Sequence, residues 1–160
     1  MFTLLLTAAL AVDPTATAPS SQAVVGTVSV ASPVDEVRRL LADPVRVTQL
    51  DGGTTKVTIR AREGSCVIAD YLSPSFLMDV VYAVKQCPTT EGNAATLLSS
   101  NAFSSYRTEW KVQPEGAGSL ITYRIDIDSS LMVPDSMVVG ATKKAVQKLM
   151  ETLRNQLGAP

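Results

Sequence analysis

The side chains of this chain with the most chemical reach are four phenols, one indole and two thiols. They are Tyr71, Tyr82, Tyr106 and Tyr123, the single tryptophan Trp110, and Cys66 and Cys87. A tyrosine or tryptophan joins a large apolar body to one hydrogen-bonding tip, a combination suited to holding and orienting an apolar ligand. Other chemistries are closed. With no histidine there is no Ser-His-Asp machinery, no imidazole general base and no imidazole-dependent zinc site, and two cysteines are too few for a cysteine-only one. No glycine-rich phosphate cradle is present either, so neither a metal nor a cofactor is expected. The carboxylates Asp70, Asp79, Glu109, Asp126 and Asp128 fall on the polar parity of alternating segments, as a solvated face requires. Asn101 and Arg124 are the best polar candidates near a pocket, with Arg124 on the outward parity. Lys and Arg together number 14 against 15 Asp and Glu, for a net charge of −1. Nucleic-acid binders carry a basic surplus, so nucleic acid is not an expected partner.

The segments that must position these residues change period along the chain. Ala23–Val30 is β-branched and apolar, and reads as a strand. In SPVDEVRRLLADP, Ser32 suits an N-cap, Pro33 the first helical position and Asp35 a capping box, while Val34, Val37, Leu40 and Leu41 make one apolar face. Pro44 ends this helix, and a short second one covers Val45–Leu50. From Thr54 the period is two. Inward candidates are Val57 and Ile59, then Tyr71, then Val80, Tyr82 and Val84, then Tyr106 and Trp110, and finally Tyr123 and Ile125, with turns between the segments. Such spacing makes an antiparallel meander of six strands. A helix from Asp135 to Leu157 closes the chain, with Val138, Ala141, Ala145, Leu149 and Leu153 as its apolar stripe. Its middle is small, at Gly140, Ala141 and Ala145, which leaves space opposite the aromatic wall.

At the N-terminus, Phe2–Ala11 is uncharged and apolar. It is shorter than the roughly 20 residues of a membrane span, and Ala9-Leu10-Ala11 forms a small-x-small cleavage site. Residues 1–11 therefore read as a signal peptide that lacks a basic leading region. The alternative is a buried terminal helix. Residues 12–22, rich in Pro, Ser and Thr, read as a linker, and 23–157 as one domain in an exported, periplasmic or secreted protein.

The order of elements, together with ASPVDEVRRLLADPVRV, EWKVQPEGAGSLITYRIDI and VPDSMV, resembles the START-like (SRPBCC) helix-grip superfamily of the polyketide cyclase/dehydrase and lipid-transport type. The resemblance implies an α+β helix-grip fold. A curved antiparallel sheet of about seven strands would wrap a long C-terminal helix, with two short helices after the first strand. It also implies a cavity between sheet and helix, whose mouth is bordered by the loop holding Leu131, Met132 and Val133. An exposed apolar rim there could make transient contact with a membrane. The alternative is that these residues tuck under the last helix.

Within that frame the expected ligand-binding set is Tyr71, Tyr82, Tyr106, Trp110, Tyr123 and Ile125 from the sheet, with Val138, Ala141 and Ala145 from the helix. The partner would be a small apolar ligand, such as a lipid, sterol-like or polyketide-like molecule. Two other readings stand beside it: a cyclase/dehydrase-like enzyme, which needs an inward acid or base, and a filled core whose domain binds a protein. No catalytic residue is assigned. Cys66 and Cys87 share the outward parity of a hairpin centred near Phe76, which brings their β-carbons close enough for a disulfide in an oxidising compartment. The alternative is two free thiols.

Overall fold

The computed structural model describes residues 10–20, 22–75 and 78–160. Leader residues 1–9, on which most of the expected signal peptide falls, lie outside that set, as does Phe76 at the expected hairpin centre. The elements run β1 (Thr15–Thr17), β2 (Ala23–Val30), α1 (Val34–Leu41), α2 (Pro44–Gln49), β3 (Lys56–Glu63), β4 (Cys66–Ser73), β5 (Val80–Pro88), β6 (Gly92–Ser100), β7 (Phe103–Glu115), β8 (Gly118–Ser129) and α3 (Asp135–Leu157). All strands join one antiparallel sheet in the order β1-β2-β8-β7-β6-β5-β4-β3. The β3–β8 meander needs only tight turns, and β2 closes on the last strand, with Val24 opposite Ile125 and Val28 opposite Ile121.

Among the described residues the sheet has eight strands rather than about seven. The extra one comes from the segment that reads as a linker. Thr15–Thr17 pairs with β2, placing Thr15 opposite Thr27. Val12 exchanges two bonds with Ser29: its N–H donates to Ser29 Oγ at 2.7 Å, and its carbonyl accepts from Ser29 N–H at 2.8 Å. Gln147 Nε2 on α3 donates to Pro14 O at 3.0 Å. Composition signals a turn here, yet an extended three-residue edge strand needs little more than β-branched threonines and a free neighbouring edge.

The ends of the helices also differ from expectation. Ser32 does not cap α1. Its hydroxyl donates to Leu157 O at 3.0 Å, and Ala31 N–H donates to Gly158 O at 2.9 Å. Together they satisfy carbonyls at the C-terminus of α3, where Gly158 turns the chain away with φ 86°. Asp43 is the true cap, accepting from Val45 N–H and Arg46 N–H at the start of α2, with Pro44 in the first turn.

The main core lies between α1, the C-terminal half of α3 and the β2-β8-β7 part of the sheet. It is built from Val24, Val28, Val37, Leu41, Val112, Ile121, Met150 and Leu153, all essentially solvent-free. α3 packs chiefly on β2, with β1 and β8 beside it, and therefore covers one side of the sheet. Its buried residues, Val146, Met150 and Leu153, all sit in its C-terminal half. None of residues 131–145 is buried.

Candidate functional site

Where α3 leaves the sheet uncovered, a cavity of about 360 Å³ remains, within the size range of small-molecule sites. Its floor is the inner face of β4 to β8. Its walls are the middle of α3 on one side and the end of α1 with α2 on the other. The alternation of the strands brings Tyr71, Tyr82, Tyr106, Trp110, Tyr123 and Ile125 into the lining, all of them from the expected set. All four tyrosines and the one tryptophan of the chain thus face a single space.

The rings touch in two groups. Tyr71 and Tyr82, opposite each other on β4 and β5, stack with centroids 4.9 Å apart and planes 7° apart. Tyr82 meets Tyr106 at 5.3 Å and Phe103 edge-on at 5.5 Å. Trp110 and Tyr123, opposite each other on β7 and β8, stack at 4.1 Å. The hydroxyls of Tyr82, Tyr106 and Tyr123 lie near one another in that order, and that of Tyr82 lies near Ser73. Ser73 Oγ in turn lies 2.8 Å from Thr55 Oγ1. A string of hydroxyls therefore crosses an otherwise apolar floor.

Burial dominates the acid–base behaviour of these phenols, because a phenolate loses its hydration there. It raises the Tyr71 pKa to about 12. Tyr82, Tyr106 and Tyr123 are raised as well, first by burial and then by the charge their neighbours would carry. At neutral pH the string consists of hydroxyls, each able to donate and accept. Among the described lining residues the one formally charged side chain is Asp51. It is exposed at the end of α2 and accepts a bond from Gly53 N–H at 3.1 Å.

The helix side of the site differs from the sequence reading. Ala145 lines the cavity from the exposed edge of α3, but Val138 and Ala141 do not line it. Thr142, Val146 and Leu149 do. α3 is rotated by about one residue, so that Val139, Val146, Met150 and Leu153 face the protein. Hydropathy could not choose between adjacent valines at 138 and 139. It also read Thr142 as polar, although its hydroxyl is spent on Val138 O at 2.7 Å. Gly140 does not make the space either: it is exposed, and a β-carbon there would meet nothing within 4 Å. The glycine that matters is Gly26 on β2, where a β-carbon would come within 2.5 Å of Val146 Cγ1 and 2.9 Å of Met150 Cγ. The sequence carried that signal, since a lone glycine inside a strand marks a close approach. Leu131, Met132 and Val133 are not among the lining residues. Met132 is fully exposed and the other two partly so, and the rim is formed in part by α2.

Phe103 is the aromatic that sequence reasoning missed. Counting back in twos from Tyr106 puts it on the outer face, but a bulge between Phe103 and Ser105 inserts one residue and turns it inward. It lies 5.5 Å from the Tyr106 ring. The polar candidates are structural. Asn101 accepts from Val81 N–H and donates to Asp79 O, both at 2.9 Å, and Arg124 pairs with Asp126 on the outer face. Cys66 and Cys87 form a disulfide, one step beyond the opposed pair Val67 and Gln86, with Cα atoms 4.2 Å apart. Among the described residues no helix is long and apolar enough to cross a membrane.

Comparison with known proteins follows the same lines. The family model described as polyketide cyclase/dehydrase and lipid transport matches residues 21–158. A search of curated proteins gave no match. Among solved structures, the chain is similar to a START superfamily protein from Mycobacterium smegmatis. The TM-score is 0.74 at 19% identity, over 85% of this chain and 97% of that one. It is also similar to an aromatase/cyclase from a Streptomyces species, with TM-score 0.64 at 17% identity over 84% and 95% of the two chains. A third likeness is to a STAR-related lipid transfer protein fragment from Xanthomonas axonopodis, with TM-score 0.65 at 14% identity over 88% and 89%. At these identities the likenesses establish the fold, the helix-grip arrangement of a long antiparallel sheet and a C-terminal helix.

Proposed function

The chain belongs to the polyketide cyclase/dehydrase and lipid-transport family, and from that premise we propose that it binds or carries a small apolar ligand, lipid, sterol-like or polyketide-like, in the cavity beside α3. One observation carries this reading: every tyrosine and the only tryptophan line a space of about 360 Å³ instead of packing it shut. Affinity would come from burying apolar ligand surface, at roughly 25 cal/mol per Å² before the costs of association. The hydroxyl string would fix the orientation of the ligand. A general base of the cyclase/dehydrase kind needs a pKa near neutrality, and burial moves the lining phenols the other way. That favours binding over acid–base turnover. Ligand would pass beneath the N-terminal half of α3, where no residue from 131 to 145 is buried and local opening costs least. The exposed Met132 and Met137 beside it offer an apolar surface for brief contact with a membrane. Export is part of the proposal. The Cys66–Cys87 disulfide suits an oxidising compartment, and cleavage after Ala11 would leave Val12, already bonded to Ser29, as the first residue.

The test uses Trp110, the lone tryptophan, as a built-in reporter. Titration with the neutral apolar probe 1-dodecanol should change Trp110 fluorescence saturably at one site per chain. An unresponsive Trp110, with no binding detected by calorimetry, would contradict the proposal.

A further inference from the structure

The chemistry of the lining says more than that the ligand is apolar. Among the described lining residues there is no lysine or arginine, and the one carboxylate, Asp51, sits on the exposed rim with its own backbone partner. No cationic side chain of the sheet is among the described lining residues, and several are already engaged in ion pairs. Arg60 pairs with Asp70, Lys85 with Glu63 and Arg124 with Asp126, all on the outer face. What faces the ligand is the string of neutral hydroxyls running from Ser73 through Tyr82 and Tyr106 to Tyr123.

We infer that the cavity selects neutral, oxygen-bearing apolar molecules (alcohols, ketones or esters) and discriminates against their carboxylate counterparts. An ionised carboxylate moved into this space would lose its hydration and meet no cation, an arrangement that is strongly unfavourable unless the anion is paired. Phenol donors offset part of that loss, but they bring no positive charge to balance the anion. An alcohol or ketone can take up hydrogen bonds from these hydroxyls in place of water and needs no counter-charge. The raised pKa values of the phenols keep the string uncharged through neutral pH, so the preference does not depend on their ionisation.

This inference rests on the binding reading, and one matched series separates the two. Trp110 fluorescence and calorimetry would compare 1-dodecanol, methyl dodecanoate and dodecanoic acid at about pH 7.5, where the free acid is ionised. The alcohol and the ester should bind at least about tenfold more tightly than the acid. That gap should narrow as the pH is lowered toward the pKa of the acid. In Tyr106→Phe, which removes the central hydroxyl and keeps the ring, alcohol affinity should fall about three- to tenfold, while binding of dodecane should be unchanged. An acid that binds as tightly as the alcohol at about pH 7.5 would overturn the selectivity and leave the binding reading standing. If none of the four probes binds, both fall. An unchanged alcohol affinity in a folded Tyr106→Phe protein would overturn the role given to the hydroxyl string.

Discussion

The four phenols make the cavity visible to a pH titration. Each folded-state pKa is raised above the value of about 10 that an unfolded chain would show. Below that value both states hold their protons and the tyrosines leave stability unchanged. Above it the unfolded chain releases phenol protons that the folded protein retains, so stability falls as pH rises. The slope is up to about 1.4 kcal/mol per pH unit for each tyrosine. Absorbance at the tyrosinate band should therefore stay flat beyond pH 10 and then rise together with loss of near-ultraviolet circular dichroism. A gradual rise in the folded protein, with phenols titrating normally, would contradict their burial. A second test contrasts one substitution at two glycines. Gly26→Ala thrusts a methyl against Val146 and Met150 and should cost about 1–3 kcal/mol. Gly140→Ala adds a methyl into open space on a helix and should gain about 0.5–1 kcal/mol. Equal effects at both sites, read by denaturant unfolding, would refute the placement of α3.

At the scale of elements, alternation and turn residues were enough to locate β2 to β8 and both ends of α3. They were not enough to fix which way α3 faces or how a bulge redirects a strand. Period two carries inward and outward assignments only as far as the next inserted residue, which is why Tyr106 and Trp110 were legible and Phe103 was not. Helical stripes built from adjacent valines and small residues leave the rotation to tertiary contact, here the gap that Gly26 opens in β2. The β4–β5 hairpin gives the complementary case. Shared outward parity and a hairpin centre near Phe76 paired Cys66 with Cys87, and the two sit on opposed strands. Replacing both by serine should cost about 3 kcal/mol for a bridge spanning 21 residues. Probe affinity should be unchanged, because the bridge lies on the face away from the cavity. Two alkylatable thiols in the native protein would contradict the bridge, and a large loss of binding would contradict its placement.

For the whole molecule, the family and the fold were legible because they rest on the order and spacing of elements. The cavity was legible only in outline, since its existence depends on how far the last helix falls short of covering the sheet. α3 is clamped at its C-terminal end by Ser32 and Ala31 and anchored on β2 by Val146 and Met150, while its N-terminal half buries no residue. That asymmetry leaves a space at the middle of the helix, over the aromatic floor. Whether the space takes a ligand is tested most directly by filling it from the sheet side. Ala95, on β6, is buried and lines the cavity. One paired measurement, melting temperature and 1-dodecanol affinity of the wild type and of Ala95→Phe, addresses the central claim. The account predicts a wild type that binds and a variant that melts within a few degrees of it yet binds at least about tenfold more weakly, because the new ring occupies room left for the ligand. A wild type that binds nothing, with a variant destabilised by the roughly 1–3 kcal/mol of an overpacked core, would show that the space is closed and contradict the account.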